Sequence, residues 1–176
     1  MDDIQEILLD DQAINAKILE IAARISTDYA GKELVLICVL KGAAVFTADL
    51  MRHLPFPVIL EFVQAASYGA STTSSKKIAI ENAGEIDVSD KHVLLVDTII
   101  DTGKTMDCLF NTFGTRNPAS LKAVVLLDKK SRRTADIRIA YIGFEIPDTF
   151  VVGYGLDHGE KYRNLPYIAA LKPAAQ

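Results

Sequence analysis

Two aspartates, Asp97 and Asp101, and the run Thr102-Gly103-Lys104-Thr105 carry the clearest chemistry in this sequence. A carboxylate can take or return a proton and can accept hydrogen bonds from hydroxyls. A Thr-Gly-Lys-Thr turn ahead of a helix offers hydroxyls and unpaired backbone amides to an anion, with Gly103 permitting the tight bend. Together they would set a proton-transferring group beside a phosphate cradle, with Asp97 and Thr98 as a polar patch at its rim. Lys104-Thr105 is similar to the end of a nucleoside-triphosphatase loop, but that loop needs glycine at position 98, where threonine stands. No Gly-x-Gly-x-x-Gly follows a strand pattern either. What remains is a monophosphate cradle beside a diol-sized polar patch.

A strand must deliver these groups. Val93 to Val96 is an unbroken apolar run, the pattern of a strand covered on both faces, and ligands of open α/β sheets bind at the carboxyl ends of such strands. Leu34 to Leu40 and Leu121 to Leu127 repeat the pattern, and Val58 to Phe62 and Ile78 to Ile80 read as shorter strands. Apolar residues at three- and four-residue steps from Ile14 to Tyr29 predict a helix started by Asp10 or Asp11 and stopped by Gly31. A short helix is expected from Ala43-Ala44 to about Arg52, and another from about Gly103 to Phe113. Ile137 to Glu145 should be extended, with Pro147 ending it. This alternation predicts an α/β fold, a twisted parallel sheet flanked by helices. The extended pieces in roughly residues 1–10 and 146–176 do not fit that sheet and are expected to form a small hood over its ligand edge, within a single domain spanning 1–176. The hydroxyl-rich run from Ser67 to Lys77 cannot bury a core and is expected to be a mobile lid.

A chain of 176 residues that is 49% hydrophobic and 24% charged suits one globular core. No apolar run approaches the ~20 residues of a membrane span, and the acidic start Met-Asp-Asp-Ile-Gln-Glu is unlike a signal or transit peptide. A cytoplasmic protein is expected. Nineteen basic against 23 acidic residues give a net charge of −4, which disfavours nucleic acid as a partner. Cys38 and Cys108 lack Cys-x-x-Cys spacing and are read as free thiols, and Lys130, Arg132 and Arg133 are read as a solvated basic loop.

The stretch from His92 to Thr105 resembles the phosphoribosyltransferase signature. Val-Leu-Lys-Gly at 39–42, Ser67-Tyr68, Asp-Lys at 128–129, Gly-Phe-Glu-Ile-Pro-Asp at 143–148, Phe-Val-Val-Gly-Tyr-Gly-Leu-Asp at 150–157 and Glu-Lys-Tyr-Arg-Asn-Leu-Pro-Tyr at 160–167 are similar to the hypoxanthine-guanine phosphoribosyltransferase family, in its order along nearly the whole chain. The resemblance implies the type I phosphoribosyltransferase fold and purine salvage: transfer of 5-phosphoribosyl from phosphoribosyl diphosphate to a 6-oxopurine, giving IMP or GMP and pyrophosphate, with Mg2+. It implies Asp101 as general base or acid at purine N7, against the alternative of a helix-capping carboxylate. Thr102, Gly103, Lys104 and Thr105 match the 5′-phosphate loop. Lys41, Gly42 and Arg163 match the pyrophosphate site, Lys129 the ligand of purine O6, Phe150 the stacking aromatic and Val151 the backbone at the base edge. Asp157 matches the magnesium aspartate near the base, Ser67 and Tyr68 the lid. A homodimer or homotetramer is implied, and a cis peptide between Leu40 and Lys41 is common among relatives.

One pair departs from the pattern. Asp97-Thr98 stands where the family carries Glu-Asp, whose acids bind the ribose hydroxyls and organise magnesium, so the ribose and metal region is expected to be weakened or rearranged. His158, where an aromatic is common, is expected beside the site rather than on a metal. The departure suggests a second reading, a nucleotide-sensing regulator on the same fold, and a closer enzymatic alternative is a transferase preferring xanthine.

Overall fold

The computed structural model describes residues 3–68 and 77–172. Six strands, β2 (Leu34–Leu40), β3 (Val58–Tyr68), β4 (Lys77–Glu81), β5 (His92–Ile100), β6 (Ser120–Asp128) and β7 (Tyr141–Glu145), form one sheet in the order β4-β3-β2-β5-β6-β7. All neighbours are parallel except the edge strand β4, which runs antiparallel to β3. Helices α1 (Asp11–Asp28) and α2 (Ala44–Arg52) pack on one face, and α3 (Lys104–Gly114) on the other.

The apolar runs are continuous because both faces are covered. Leu94 and Val96 of β5 enter the core under α1 and α2, whereas Val93 and Leu95 enter the core under α3. This alternation decides the site: Asp97 follows the α3-facing set and Thr98 the opposite one. Helix α1 begins where expected, with Asp10 accepting from the amide of Ala13 at 2.8 Å, and Gly31 takes a positive φ of 71° just beyond its end.

A second sheet, in the order β1-β9-β8, joins the two ends of the chain through β1 (Ile4–Leu9), β8 (Val151–Val152) and β9 (Ile168–Leu171), all antiparallel. Its strands fall within the two terminal ranges that the sheet pattern left over. The segment expected to be extended from Ile137 becomes a strand only at Tyr141. Before that it serves the turn ahead of α3. The amides of Thr134 and Ala135 donate to the carbonyl of Thr102, and Ala135 and Ile137 lie 3.2 Å from where a Cβ on Gly103 would stand. Both cysteines are free thiols, Cys38 buried and Cys108 half-buried.

Candidate active site

Asp101 lies just beyond β5, at the carboxyl edge of the sheet, and Gly103 turns the chain into α3 with φ at 85°. Gly103 at the cap has no side chain to offer, Asp101 accepts from none of the helix amides, and the Lys104 amide reaches only Thr102 Oγ1 at a long 3.5 Å, so the start of α3 can still turn its amides to an anion. Asp97, Asp101, Thr102, Gly103 and Thr105 line a small hollow of about 110 Å3 there. That volume suits a phosphate group. The side chain of Lys104 points to solvent, leaving the cradle to backbone and threonines.

Beside it opens a hollow of about 570 Å3, large enough for a purine, whose walls include Ile99, Asp101, Lys129, Phe150, Val151 and Asp157. Lys129 is only 7% exposed, and its amide donates to Ile100 at 2.9 Å, which seats its corner against the end of β5. A buried ammonium is a donor with no acceptor capacity, so it favours a carbonyl oxygen over an amine. Phe150 keeps 38% of its surface exposed, available for stacking, and His158 packs edge-on against it at 5.4 Å between ring centres.

The third part is a loop of cations and carboxylates. The peptide between Leu40 and Lys41 is cis. Lys41 pairs with Glu160 at 3.0 Å. Arg163 pairs with Asp157 at 2.8 Å and Glu160 at 3.3 Å and donates to the carbonyl of Gly155 at 2.8 Å, yet its Nε is buried without a partner. Gly155 takes φ of +94°, and a Cβ on it would collide with the carbonyl of Gly42. Lys41, Gly42, Asp157 and Arg163 thus come together.

Thr98 does not. It is fully buried, and its hydroxyl donates to the Gly42 carbonyl at 3.0 Å, so the rim role expected of it is corrected to that of a clamp beneath the Lys41-Gly42 turn. The period-two alternation of β5 is the reason: only one member of an adjacent pair can face the ligand side. Asp97 stays at the rim as a half-buried carboxyl. Desolvation by the surrounding protein pushes it up to about 7, against amide hydrogen bonds from Thr98, at 2.7 Å, and from Ile99. Because its ordinary value is 3.8, the folded protein holds this proton while the unfolded chain releases it, so Asp97's contribution to stability is complete below about pH 4 and is lost as pH rises to about 7. Asp97→Asn is therefore expected to match the parent in urea denaturation at pH 4 and to exceed it by roughly 2 to 4 kcal/mol at pH 8.5. Equal midpoints at both pH values would contradict the burial argument.

The basic loop is also corrected. Arg133 is half-buried and holds Asp128, which is 3% exposed, through Nε at 3.2 Å and NH2 at 2.9 Å, while NH1 reaches the carbonyl of Ile137 at 3.0 Å. Lys130 and Arg132 are exposed as expected, and Arg132 also borders the hollow that holds Lys129. Removing Arg133 would leave a buried carboxylate unpaired, so Arg133→Ala is expected to cost about 3 kcal/mol in thermal or urea unfolding, whereas Lys130→Ala, whose side chain is 71% exposed, should cost almost nothing.

Ser67 and Tyr68 close β3, their backbones paired with Ile78 and Lys77, and the remainder of the expected lid, residues 69–76, lies outside the described residues. A larger hollow of about 690 Å3 lies at the amino ends of β6 and β7. In it Asp28 accepts from Tyr141 at 2.5 Å and pairs with Lys122 at 3.3 Å. Motif reading missed Arg132, Asp148, Glu160 and the Gly155 contact. Asp148 and Glu160 sit inside motifs that were recognised, but only the folded loops show what they touch.

The profile of the phosphoribosyl transferase domain matches residues 5–158. The hypoxanthine-guanine phosphoribosyltransferase of Bacillus subtilis is 44% identical over 172 residues, 98% of this chain and 96% of that protein. Its counterpart from Mycobacterium tuberculosis is 43% identical over 97% of this chain and 88% of its own length. Among solved structures, a hypoxanthine phosphoribosyltransferase from Staphylococcus aureus superposes with a TM-score of 0.93 at 40% identity, covering 98% of this chain and 94% of that one. A ternary substrate complex of the Trypanosoma cruzi enzyme gives 0.93 at 40% identity, covering 99% of both chains. A strand end carrying Asp101 into an uncapped helix, and relatives this similar from end to end, lead to one assignment: the chain belongs to the phosphoribosyl transferase family.

Proposed function

We propose that this chain is a purine salvage transferase, moving 5-phosphoribosyl from phosphoribosyl diphosphate to hypoxanthine or guanine and releasing pyrophosphate with IMP or GMP. The observation that carries the proposal is the single hollow in which Asp101, buried Lys129 and Phe150 meet beside the phosphate-sized cradle. Phe150 stacks on the base and Val151 borders it. Lys129 donates to O6, which admits oxopurines and gives a 6-amino group nothing to bind. Asp101 takes the proton from N7 as the base becomes a glycosyl acceptor, or returns it in the reverse direction. The amides at the start of α3, with Thr102, Gly103 and Thr105, hold the 5′-phosphate, and Asp97 accepts from the ribose hydroxyls. Lys41, the Gly42 peptide and Arg163 receive the diphosphate that leaves.

A divalent cation, magnesium in this reading, would neutralise charge on the diphosphate. Among the described residues no cluster of three or more His, Cys, Asp or Glu could cage one. Both oxygens of Asp157 already have partners, Arg163 at 2.8 Å and the Glu160 amide at 2.9 Å, but their remaining lone pairs fit a hard ion that keeps its waters and arrives on the substrate's phosphates. The reading also takes the protein to be a cytoplasmic homodimer or homotetramer with the chain-end sheet as a hood over the site. No helix among the described residues is long and apolar enough to cross a membrane.

The test is incubation with phosphoribosyl diphosphate and Mg2+ plus, in turn, hypoxanthine, guanine, xanthine and adenine, assaying nucleotide and pyrophosphate. Product is expected with hypoxanthine and guanine and none with adenine. Product with adenine would refute the Lys129 argument, xanthine as the best acceptor would change the assigned substrate, and no product with any base would leave a nucleotide-binding protein.

A further inference from the structure

Arg132 stands on the single 3-10 turn Lys130–Arg132 that follows the Asp128-Lys129 corner. Its Nε lies 2.7 Å from Oδ1 of Asp101, and its NH1 donates to both oxygens of Asp148, at 3.1 and 3.4 Å. Three separate loops at the carboxyl edge of the sheet therefore meet at one guanidinium, and all three residues line the hollow assigned to the purine.

The two contacts differ in kind. Toward Asp148 the guanidinium has hydrogen-bonding geometry. Toward Asp101 it brings charge to contact distance without hydrogen-bond alignment, so Oδ1 is buried with no hydrogen-bond partner. The Asp101 side chain as a whole is nevertheless 42% exposed, so its accessible surface lies on its other atoms, Oδ2 among them. Arginine does not deprotonate in proteins, so the contact is permanently cationic. The result is a carboxylate held at one oxygen and open at the other, which is what a group needs if it is to meet a proton from a fixed direction.

We infer that Arg132, anchored by Asp148, is a positioning residue for the transfer reaction, holding Oδ1 of Asp101 so that Oδ2 faces N7 of the base. The inference rests on the reading of Asp101 as the acid and base of the reaction. The proton passes between N7 and Oδ2 of Asp101, and Arg132 keeps its own protons throughout. Both ion pairs are about half exposed, with side chains 46% exposed at Arg132 and 52% at Asp148, so neither contributes much to folding and their loss leaves the fold in place.

The experiment is steady-state kinetics at saturating phosphoribosyl diphosphate and Mg2+, with Asp101→Asn, Arg132→Gln, Arg132→Lys, Asp148→Asn and the Asp101→Asn/Arg132→Gln double variant. Arg132→Gln is expected to lower kcat roughly 10-fold while KM for hypoxanthine changes less than about 2-fold, and Asp148→Asn to lower kcat by about 3-fold. Arg132→Lys, which keeps the charge and loses the fork, should fall between Arg132→Gln and the parent. In the Asp101→Asn background, Arg132→Gln should change kcat by less than about 2-fold, because a residue acting only through Asp101 has nothing left to orient. Losses that multiply in the double variant, or a parental kcat in Arg132→Gln, would overturn the inference and leave the role of Asp101 standing. An Asp101→Asn enzyme as active as the parent would remove both.

Discussion

Asp101→Asn is expected to lower kcat for IMP formation by about 10²-fold or more, with unchanged unfolding midpoints and little change in KM for phosphoribosyl diphosphate. The substitution keeps volume and one acceptor oxygen but removes the carboxylate proposed to take a proton from N7. Stability should hold because the carboxylate does not cap α3 and its ion pair with Arg132 is exposed. A large drop in stability alongside the lost activity would mean that Asp101 supports the turn into α3, and an active Asn variant would put the proton elsewhere. Rapid-quench measurement of a single turnover, beside steady-state rates, separates chemistry from slow release of product.

Gly155→Ala should damage the enzyme by a different route. Gly155 has φ of +94°, its amide donates to the carbonyl of Arg163 at 2.9 Å, its carbonyl accepts from the Arg163 guanidinium at 2.8 Å, and a Cβ would strike the Gly42 carbonyl. That carbonyl cannot step aside freely because the buried hydroxyl of Thr98 holds it from below at 3.0 Å. One added methyl group therefore strains the backbone and pushes apart the Gly42 turn and the Arg163 loop, the two halves of the proposed diphosphate site. We expect a loss of roughly 2 to 4 kcal/mol in stability and a fall of about 10-fold or more in kcat/KM for phosphoribosyl diphosphate. The affinity for hypoxanthine should change far less, since Lys129 and Phe150 stand on other loops. Calorimetry and the two Michaelis constants check both halves of this expectation, and a variant with parental Tm and parental kinetics would show that the turn has slack.

The parts of the site legible in sequence are those whose roles follow from local pattern. The apolar run before Asp97 announced a strand covered on both faces, and Gly103 announced the tight turn into α3, because an apolar run and a glycine turn are written in local sequence. Loops that act at long range were harder to read. Arg132 and Arg133 are adjacent and chemically identical, yet one reaches Asp101 and the other is buried on Asp128. Composition allots both to solvent, and only the single 3-10 turn that sends them in different directions separates them. Thr98 was open to a better reading, since counting in twos from Leu94 and Val96 puts it on the face of α1 and α2 and away from Asp97. The segment from Ile137 differs for the opposite reason: Ile137 covers Gly103 and Ile139 packs under α3 before the strand begins at Tyr141.

The chain-end sheet also sets an order of assembly. Strand β8, which follows Phe150 directly, pairs with β9, and β9 pairs with β1, so Ile4 meets Leu171 and the amide of Lys172 donates to the carbonyl of Asp3 at 2.9 Å. The turn from β5 into α3 closes between adjacent elements and is completed by residues 134–137, about thirty positions on, whereas these pairings join residues nearly the whole chain apart and carry the largest loop-closure cost. During synthesis, a ribosome-bound chain that has emerged through Gly114 would already hold the residues of the anion site, but the loop presenting Phe150 would lack its supporting sheet until β9 had also emerged. A chain ending within β9 would thus keep the turn from β5 into α3 and lose the sheet beside Phe150.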